Sequence, residues 1–453
     1  MNVFVRILMC LVLFIGISPI LFAQKHENEV FNKDIVSLIK EYKINASSII
    51  FVKNGDVILS NGYGKEGVFS KNIVTVNSVF EAGSIGKTIT AYVVLQLVNN
   101  GKLNLEDKII TFLDKKNITN DERFSEITVS NLLSHTAGFS PSFEFGIDKN
   151  IYFNPETEFS YSGVGYIFLQ NIIENITGKS FEEVVVEYVF DPLNMENSTF
   201  LYTKTVTPFI NTLSLVVYTL AIFFIAWIMV LFIIFIVGKK TKLKYFNKKH
   251  AFYLSIIIAN IFNIAFILIF MSKILIPFLV FIVIGFGILF LMRKAKKLFY
   301  LIFPLYTIFT IILCLSLFSS LPVTNDIIKR EANCAYSFKT TSYDMSLFLN
   351  ELLDCYNNNC NNIRKMVAPI VTIDENNSWG LGIGIERIGN NITYWHSGIN
   401  PGFQSLFVII PEQNSFVIIL SNSDKGLEFS QEITKKLINL EGTWNIKRTV
   451  LRK

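Results

Sequence analysis

Histidine is scarce in this 453-residue chain, and the patterns that accompany metal, phosphate or nucleic-acid binding are missing. Only four histidines occur, and neither a His-Glu-x-x-His motif nor another metal-ligand cluster is visible. No glycine-rich phosphate loop and no nucleic-acid-binding motif stands out. The sequence therefore predicts a protein that uses no metal and no other cofactor and that has no nucleic-acid partner.

Cysteine is also rare, which excludes a dense disulfide framework. Cys10 and Cys314 lie in apolar segments of the chain. The other three, Cys334, Cys355 and Cys360, can form one disulfide at most. A single bridge and three ordinary thiols are both open interpretations.

Four long stretches lack charged residues altogether. They cover residues 211–237, 251–271, 274–292 and 298–320, and each is long enough to cross about 30 Å of hydrocarbon. The hydrophobic content of the whole chain, 51%, is correspondingly high for a soluble protein. The sequence thus predicts four transmembrane helices in a membrane domain at 211–320.

The loops between these stretches predict the orientation in the membrane. The first and third loops hold ten Lys and Arg residues, whereas the second holds only Lys273. Because positive residues mark the cytoplasmic side, both flanking segments are expected outside. Residues 1–23 are typical of a signal peptide or an N-terminal anchor, which also predicts export of the segment that follows.

A serine and a lysine stand three residues apart where a buried helix is expected to begin. Ser84-Ile85-Gly86-Lys87 precedes an apolar run that reaches Asn99. Positions i and i+3 share a helix face, so Ser84 Oγ and Lys87 Nζ can come within hydrogen-bond distance. The helix N-terminus favours a developing negative charge, and a lysine with a lowered pKa can take the serine proton. This arrangement is typical of a serine acyl-transferase or hydrolase.

A second Ser-x-x-Lys, from Ser37 to Lys40, lacks both the preceding glycine and a buried helix after it. Two other motifs favour the copy at Ser84. Tyr161-Ser162-Gly163 leads into a predicted helix, and His396-Ser397-Gly398 lies on a predicted strand near the C-terminus.

The surrounding pattern predicts a mixed fold. A helix is expected at 34–44 and a β-hairpin around Asn54-Gly55. Short helices are predicted at 131–135 and after Ser160, and a capped helix begins near Thr341. The C-terminal part is predicted to contain a β-like segment at 379–385, three strands between 392 and 420, and a final helix at 428–440.

With its three motifs in this order, the chain resembles the serine β-lactamase and penicillin-binding-protein superfamily, in particular its class C-like branch. That branch also holds D,D-peptidases, D-aminopeptidases and esterases. The segments 132–138, 191–195 and 396–403 resemble the family as well. The resemblance implies an α/β, β-lactamase/D,D-peptidase-like domain in which helices flank an antiparallel sheet. Its two parts would be residues 24–210 and 321–453, interrupted by the four transmembrane helices.

The resemblance also implies roles for the motif residues. Ser84 is expected to be the nucleophile and Lys87 a base or proton relay beside it. Tyr161 is the second candidate base, and His396 would hold the carboxylate or polar end of the substrate. His135, in the 132–138 segment, is interpreted as structural.

The oxyanion hole and the middle motif complete the expected site. The backbone N–H groups of Ser84 and Ile399, beside Gly398, would bind the oxyanion. Gly163 stands where the family has an asparagine that contacts the lysine and the substrate amide. This departure argues against β-lactamase or peptidase activity more than against acylation itself.

The sequence therefore predicts a membrane-anchored, extracytoplasmic serine hydrolase that is acylated at Ser84 by an amide or ester. A small-molecule, peptide or cell-wall-related substrate and a lipid bilayer are the expected partners. A penicillin-binding sensor that signals through its membrane helices and a non-catalytic binding module remain alternatives. Transport is disfavoured, because the four apolar stretches contain no ionisable residue.

Overall fold

The two segments on either side of residues 207–331 build one compact unit in the computed structural model. The structure describes residues 31–67, 70–114, 118–140, 150–201, 203, 205–206 and 332–445. In that part of the chain, every helix is too short or too polar to cross a bilayer. The predicted signal peptide and the four apolar stretches lie outside the described residues and stay predictions.

An eight-stranded antiparallel sheet forms the centre of the unit. Its strands are β1 (Ala46–Lys53), β2 (Asp56–Gly64), β5 (Val371–Thr372), β6 (Asn377–Trp379), β7 (Gly384–Ile388), β8 (Asn391–Asn400), β9 (Phe403–Ile410) and β10 (Ser415–Ser421). Their order across the sheet is β2-β1-β10-β9-β8-β7-β6-β5. A separate two-stranded sheet pairs β3 (Phe80–Gly83) with β4 (Phe338–Thr340). Both sheets thus combine strands from the two segments.

Helices lie on both sides of the large sheet. They are α1 (31–42), α2 (Gly86–Asn99), α3 (Val129–Leu133), α4 (Gly163–Thr177), α5 (Phe181–Val185), α6 (Ser342–Asn357), α7 (Asn361–Val367) and α8 (Gly426–Ile438). The predicted antiparallel sheet with flanking helices is confirmed.

Strand β10 shows how the sequence divides the core into two layers. Its side chains alternate between the faces of the sheet, as the pleat requires. Phe416, Ile418 and Leu420 join the cluster that contains α2, α4 and α6. Val417 and Ile419 join the cluster that contains α1 and α8. Because helices cover both faces of the sheet at β10, consecutive residues of this strand are apolar.

The first hairpin forms where the Asn-Gly pair predicts it. Asn54 and Gly55 have φ angles of +54° and +85°, the left-handed conformation that a two-residue hairpin turn needs. The Gly55 N–H also donates to the Asn414 carbonyl, 2.8 Å away. The hairpin is therefore tied to the turn before β10.

Two predicted elements differ from the structure. Helix α3 ends at Leu133, and His135 lies beyond it with a φ angle of +59°. The β-like segment predicted at 379–385 is broken between β6 and β7. The Gly382 N–H donates to Leu133 O, and Thr88 Oγ1 donates to Gly382 O, so contacts to α2 and α3 replace strand pairing there.

The cysteines of the second segment are thiols. Cys334 is buried, whereas Cys355 and Cys360 are partly exposed, and all three are free. Of the two open interpretations, the structure thus shows three thiols and no disulfide among them.

Candidate active site

Ser84 lies in the tight turn between β3 and α2, and its hydroxyl faces a buried lysine. Lys87 Nζ donates to Ser84 Oγ over 3.0 Å. Lys87 is only 2% exposed, because eleven of the fourteen residues of α2, Lys87 among them, are buried. The approach expected from the i, i+3 spacing is confirmed, while the role of nucleophile stays a prediction.

The same ammonium group is bound by the second segment of the chain. Lys87 Nζ donates to the backbone carbonyl of Ala335 over 2.5 Å, and Ser84 Oγ lies 3.4 Å from that oxygen. The Ala335 loop is fixed by its neighbour Cys334, whose N–H donates to Gln170 Oε1. Burial raises the pKa of Cys334 to about 12, so its thiol stays protonated and donates to Tyr166 O.

Tyr161 lies beside the same ammonium group. Lys87 Nζ is 5.0 Å from the centre of the Tyr161 ring and 5.6 Å from that of Tyr166. A cation at this distance from an aromatic ring is attracted by the negative potential of the ring face. The structure thus brings together Ser84, Lys87 and Tyr161, as the resemblance predicts, although their catalytic roles are not tested by this proximity.

His135 holds the bend that presents Tyr161. Its Nδ1 accepts from the Ser162 N–H over 3.0 Å, and its ring centre lies 4.3 Å from that of Tyr161. Ser162 Oγ in turn accepts from the Gly165 N–H and so caps α4. Burial, with smaller contributions from Lys87 and His396, lowers the pKa of His135 well below its usual value. A neutral imidazole is what its acceptor role at Nδ1 requires.

Gly163 is the first residue of α4 and is buried next to this bend. It offers no side chain to Lys87, whereas the family has an amide at this position. In this chain the Ala335 carbonyl and the Ser84 hydroxyl accept hydrogen bonds from the Lys87 ammonium.

His396 lies on β8 and is 1% exposed. Its Nδ1 lies 2.8 Å from the Ser397 carbonyl, which can only accept, so Nδ1 carries the proton. Burial and then the charge of Lys87 lower the pKa of His396 to about 3. The ring is therefore neutral near pH 7, with a lone pair on Nε2.

Gly398 permits the close approach of β8 to β3. A Cβ atom at this position would lie 1.9 Å from the Ala82 carbonyl, so only glycine fits. Next to it, Asn400 Nδ2 donates to Glu81 Oε2 over 2.8 Å and ties the end of β8 to β3. Ile399 is thereby placed in the cleft that contains Ser84. Its assignment to the oxyanion hole stays a prediction.

An open cleft of about 530 Å³ joins these groups. It is lined by Ser84, Tyr161, Trp379, Trp395, His396, Ser397, Ile399 and Asn445. Among the buried polar atoms of its walls, Trp379 Nε1, Trp395 Nε1 and His396 Nε2 have no hydrogen-bond partner in the described part of the chain. An unmade buried hydrogen bond costs about 1–3 kcal/mol, which favours a polar ligand at these atoms.

Sequence reasoning missed three contributors to the site. Ala335 acts through its backbone carbonyl, which leaves no signal in the residue type. Trp379 and Trp395 looked like strand residues, and only the fold brings their indoles to the cleft. Among the described residues, no group of three or more His, Cys, Asp and Glu side chains could hold a metal ion.

A comparison with protein families gives a match over the first segment. Residues 31–205 match the family model described as Beta-lactamase. This range contains Ser84, Lys87 and Tyr161, and it ends before the segment that carries His396.

Two curated relatives match 34% and 39% of this chain. A probable fimbrial assembly protein FimD, serogroup H1, of Dichelobacter nodosus is 31% identical over 172 residues, which are 34% of this chain and 43% of that protein. Penicillin-binding protein 4 of Amycolatopsis lactamdurans is 30% identical over 198 residues, which are 39% of this chain and 49% of the relative. The chain thus spans less than half the length of each of these relatives.

A solved structure extends the likeness to both segments. The penicillin-binding protein from Bacillus halodurans aligns with a TM-score of 0.55 at 15% identity, covering 89% of this chain and 99% of that one. At this identity the alignment shows the fold alone. Together, the family match over residues 31–205 and the shared fold show that this chain is similar to β-lactamases and penicillin-binding proteins.

Proposed function

We propose that this protein is a serine hydrolase of the class C-like branch, acylated at Ser84. The observation that carries the proposal is the contact between Lys87 Nζ and Ser84 Oγ, 3.0 Å long and buried at the start of α2. A hydroxyl is a weak nucleophile until a neighbouring group takes its proton. Lys87 and Tyr161 are the two groups near Ser84 that can exchange one.

The acylation step follows from this arrangement. Ser84 Oγ attacks the substrate carbonyl while its proton passes to Tyr161 or to Lys87. Lys87 can take this proton only as the neutral amine, after its ammonium group has lost a proton. The backbone N–H groups of Ser84 and Ile399 stabilise the oxyanion, which is usually the largest electrostatic contribution in acyl transfer. Tyr161 returns the proton to the leaving group, and water then hydrolyses the acyl-enzyme by the reverse sequence.

Gly163 favours esters over lactams and peptides as acyl donors. An amide substrate with a buried carbonyl or N–H loses about 1–3 kcal/mol when that atom finds no partner. Gly163 has no side chain to supply the partner. An ester has fewer such atoms and a better leaving group, so the missing asparagine costs it less.

We further propose that the catalytic unit is anchored to the cell membrane and faces the extracytoplasmic side. The support is the sequence: four uncharged stretches at 211–320 and a strong asymmetry of Lys and Arg between their loops. A domain can accommodate an inserted segment in a surface loop when the two ends of the insertion lie close together. The single compact unit built from the two flanking segments is compatible with that arrangement.

Covalent labelling with a fluorophosphonate tests the nucleophile. Mass spectrometry should find one adduct on the wild-type protein and none on Ser84→Ala. Ser37→Ala is the matched control, because Ser37 and Lys40 form the same motif but are exposed on α1. This control should label at the wild-type rate. Labelling of Ser84→Ala at that rate would remove Ser84 from the mechanism.

The same assay measures the proton transfer. Lys87→Ala and Tyr161→Phe should each slow labelling at least ~10²-fold, as is typical for a lost general base. Circular dichroism should show both variants folded. A folded Tyr161→Phe protein that labels at an unchanged rate would exclude Tyr161 as a base.

Substrate preference tests the role of Gly163. The wild-type protein should turn over a nitrophenyl ester readily and a chromogenic cephalosporin poorly, as measured by kcat/KM. Gly163→Asn should shift the ratio towards the cephalosporin. Gly165→Asn, two residues later on α4, is the matched control and should cause no such shift. Efficient cephalosporin hydrolysis by the wild-type protein would contradict the ester preference.

Cysteine accessibility tests the proposed topology. In a background without native cysteines, Ser60→Cys and Lys425→Cys should react with a membrane-impermeant maleimide on intact cells, since both positions are exposed in the fold. Tyr245→Cys, in the first basic loop, should react only after permeabilisation. External labelling of Tyr245→Cys would reverse the orientation.

A further inference from the structure

The walls of the active-site cleft carry an uneven set of hydrogen-bonding atoms. Trp379 Nε1 and Trp395 Nε1 can only donate a hydrogen bond, whereas His396 Nε2 can donate or accept one, depending on the tautomer of the ring. The ring of Trp379 lies 5.4 Å from that of His396 and 5.9 Å from that of Trp395, measured between ring centres. All three residues line the cleft that contains Ser84. The rings of Trp379 and His396 are close enough for one bound group to meet both.

The tautomer of His396 determines whether its Nε2 donates or accepts a hydrogen bond. Its Nδ1 donates to the Ser397 carbonyl, so Nε2 holds a lone pair and accepts. Among the described residues, the ionisable groups around this ring are Lys87, Tyr161 and His135. Burial, and then the positive charge of Lys87, disfavour a positive charge on His396, so Nε2 remains an acceptor.

A carboxylate fits this set poorly, because it can only accept. It would satisfy the indole donors but place its second oxygen against the Nε2 lone pair. A carboxamide has the matching pair of functions: its oxygen accepts from an indole N–H and its NH₂ donates to His396 Nε2. A buried acceptor of this kind discriminates strongly against groups that cannot donate to it.

We propose that the cleft selects acyl donors that carry an uncharged carboxamide, rather than a carboxylate, beside the reacting carbonyl. This inference rests on the proposed hydrolase function and names the substrate class of the same site. It differs from the resemblance, which assigns the carboxylate or polar end of the substrate to His396.

A pair of thioesters tests the selection on the full-length protein. Benzoylglycine is esterified to thioglycolate in one and to thioglycolamide in the other, so both give the same acyl group on Ser84. Ser84 Oγ forms the new ester bond, and the thiol leaves with the proton and is counted with a disulfide reagent. Each rate is corrected by the Ser84→Ala protein, and the intrinsic reactivity ratio is taken from alkaline hydrolysis.

The ratio of kcat/KM for the carboxamide to kcat/KM for the carboxylate should exceed the intrinsic reactivity ratio at least tenfold. A tenfold preference corresponds to about 1.4 kcal/mol. The preference should stay constant between pH 8 and pH 5, because His396 titrates only near pH 3. Two variants separate the causes. His396→Phe should reduce the preference to the intrinsic ratio, and His396→Lys, which supplies a cation, should reverse it.

Other outcomes contradict the inference. The proposed selection is wrong if the wild-type protein prefers the carboxamide by no more than the intrinsic ratio. It is also wrong if the preference for the carboxamide falls as the pH is lowered, with a midpoint near pH 6. If neither thioester turns over, the concentration of each that halves fluorophosphonate labelling of Ser84 replaces kcat/KM. Equal or absent protection by the carboxamide would again overturn it. A wild-type protein that does not label at Ser84 would instead refute the hydrolase function itself.

Discussion

The site depends on the ammonium group of Lys87, which is buried and bound from two sides. One partner, Ser84 Oγ, comes from the turn just before its own helix. The other, the Ala335 carbonyl, comes from the second segment of the chain, 248 residues later. Placing a charge in a low-dielectric interior is costly unless such partners surround it. Both segments must therefore be folded together before the Lys87 ammonium group has both of its partners.

The rest of the architecture keeps these two partners in place. The β3–β4 pair and the large sheet both join strands from the two segments, and Gly398 lets β8 approach β3. His135 fixes the bend before α4, and this bend brings Tyr161 to the same ammonium group. The positive charge of Lys87 also reaches the substrate side of the cleft, where it helps to keep His396 neutral. In the proposed mechanism, activation of Ser84 and recognition of the substrate are thus coupled electrostatically.

Local features of this fold could be predicted from the sequence. The Asn54-Gly55 turn, the Ser84–Lys87 approach and the cap at Thr341 each depend on residues within a few positions of one another. The order of the three motifs and the resemblance that they carry predicted the antiparallel sheet with flanking helices. The strand break before β7 was missed because its cause is distant: Leu133 and Thr88 take the hydrogen bonds of Gly382.

The chemistry of the cleft was less accessible to sequence reasoning. A backbone carbonyl such as that of Ala335 has no residue-type signal, and the proton position on His396 depends on the contact of its Nδ1 with the Ser397 carbonyl. The most direct test of the proposed mechanism is a crystal structure of the protein after reaction with a phosphonate ester. The mechanism predicts phosphorus bonded to Ser84 Oγ, with Lys87 Nζ within hydrogen-bond distance of both that oxygen and Ala335 O. A phosphonate on another residue, or a Lys87 side chain turned away from Ser84, would contradict it.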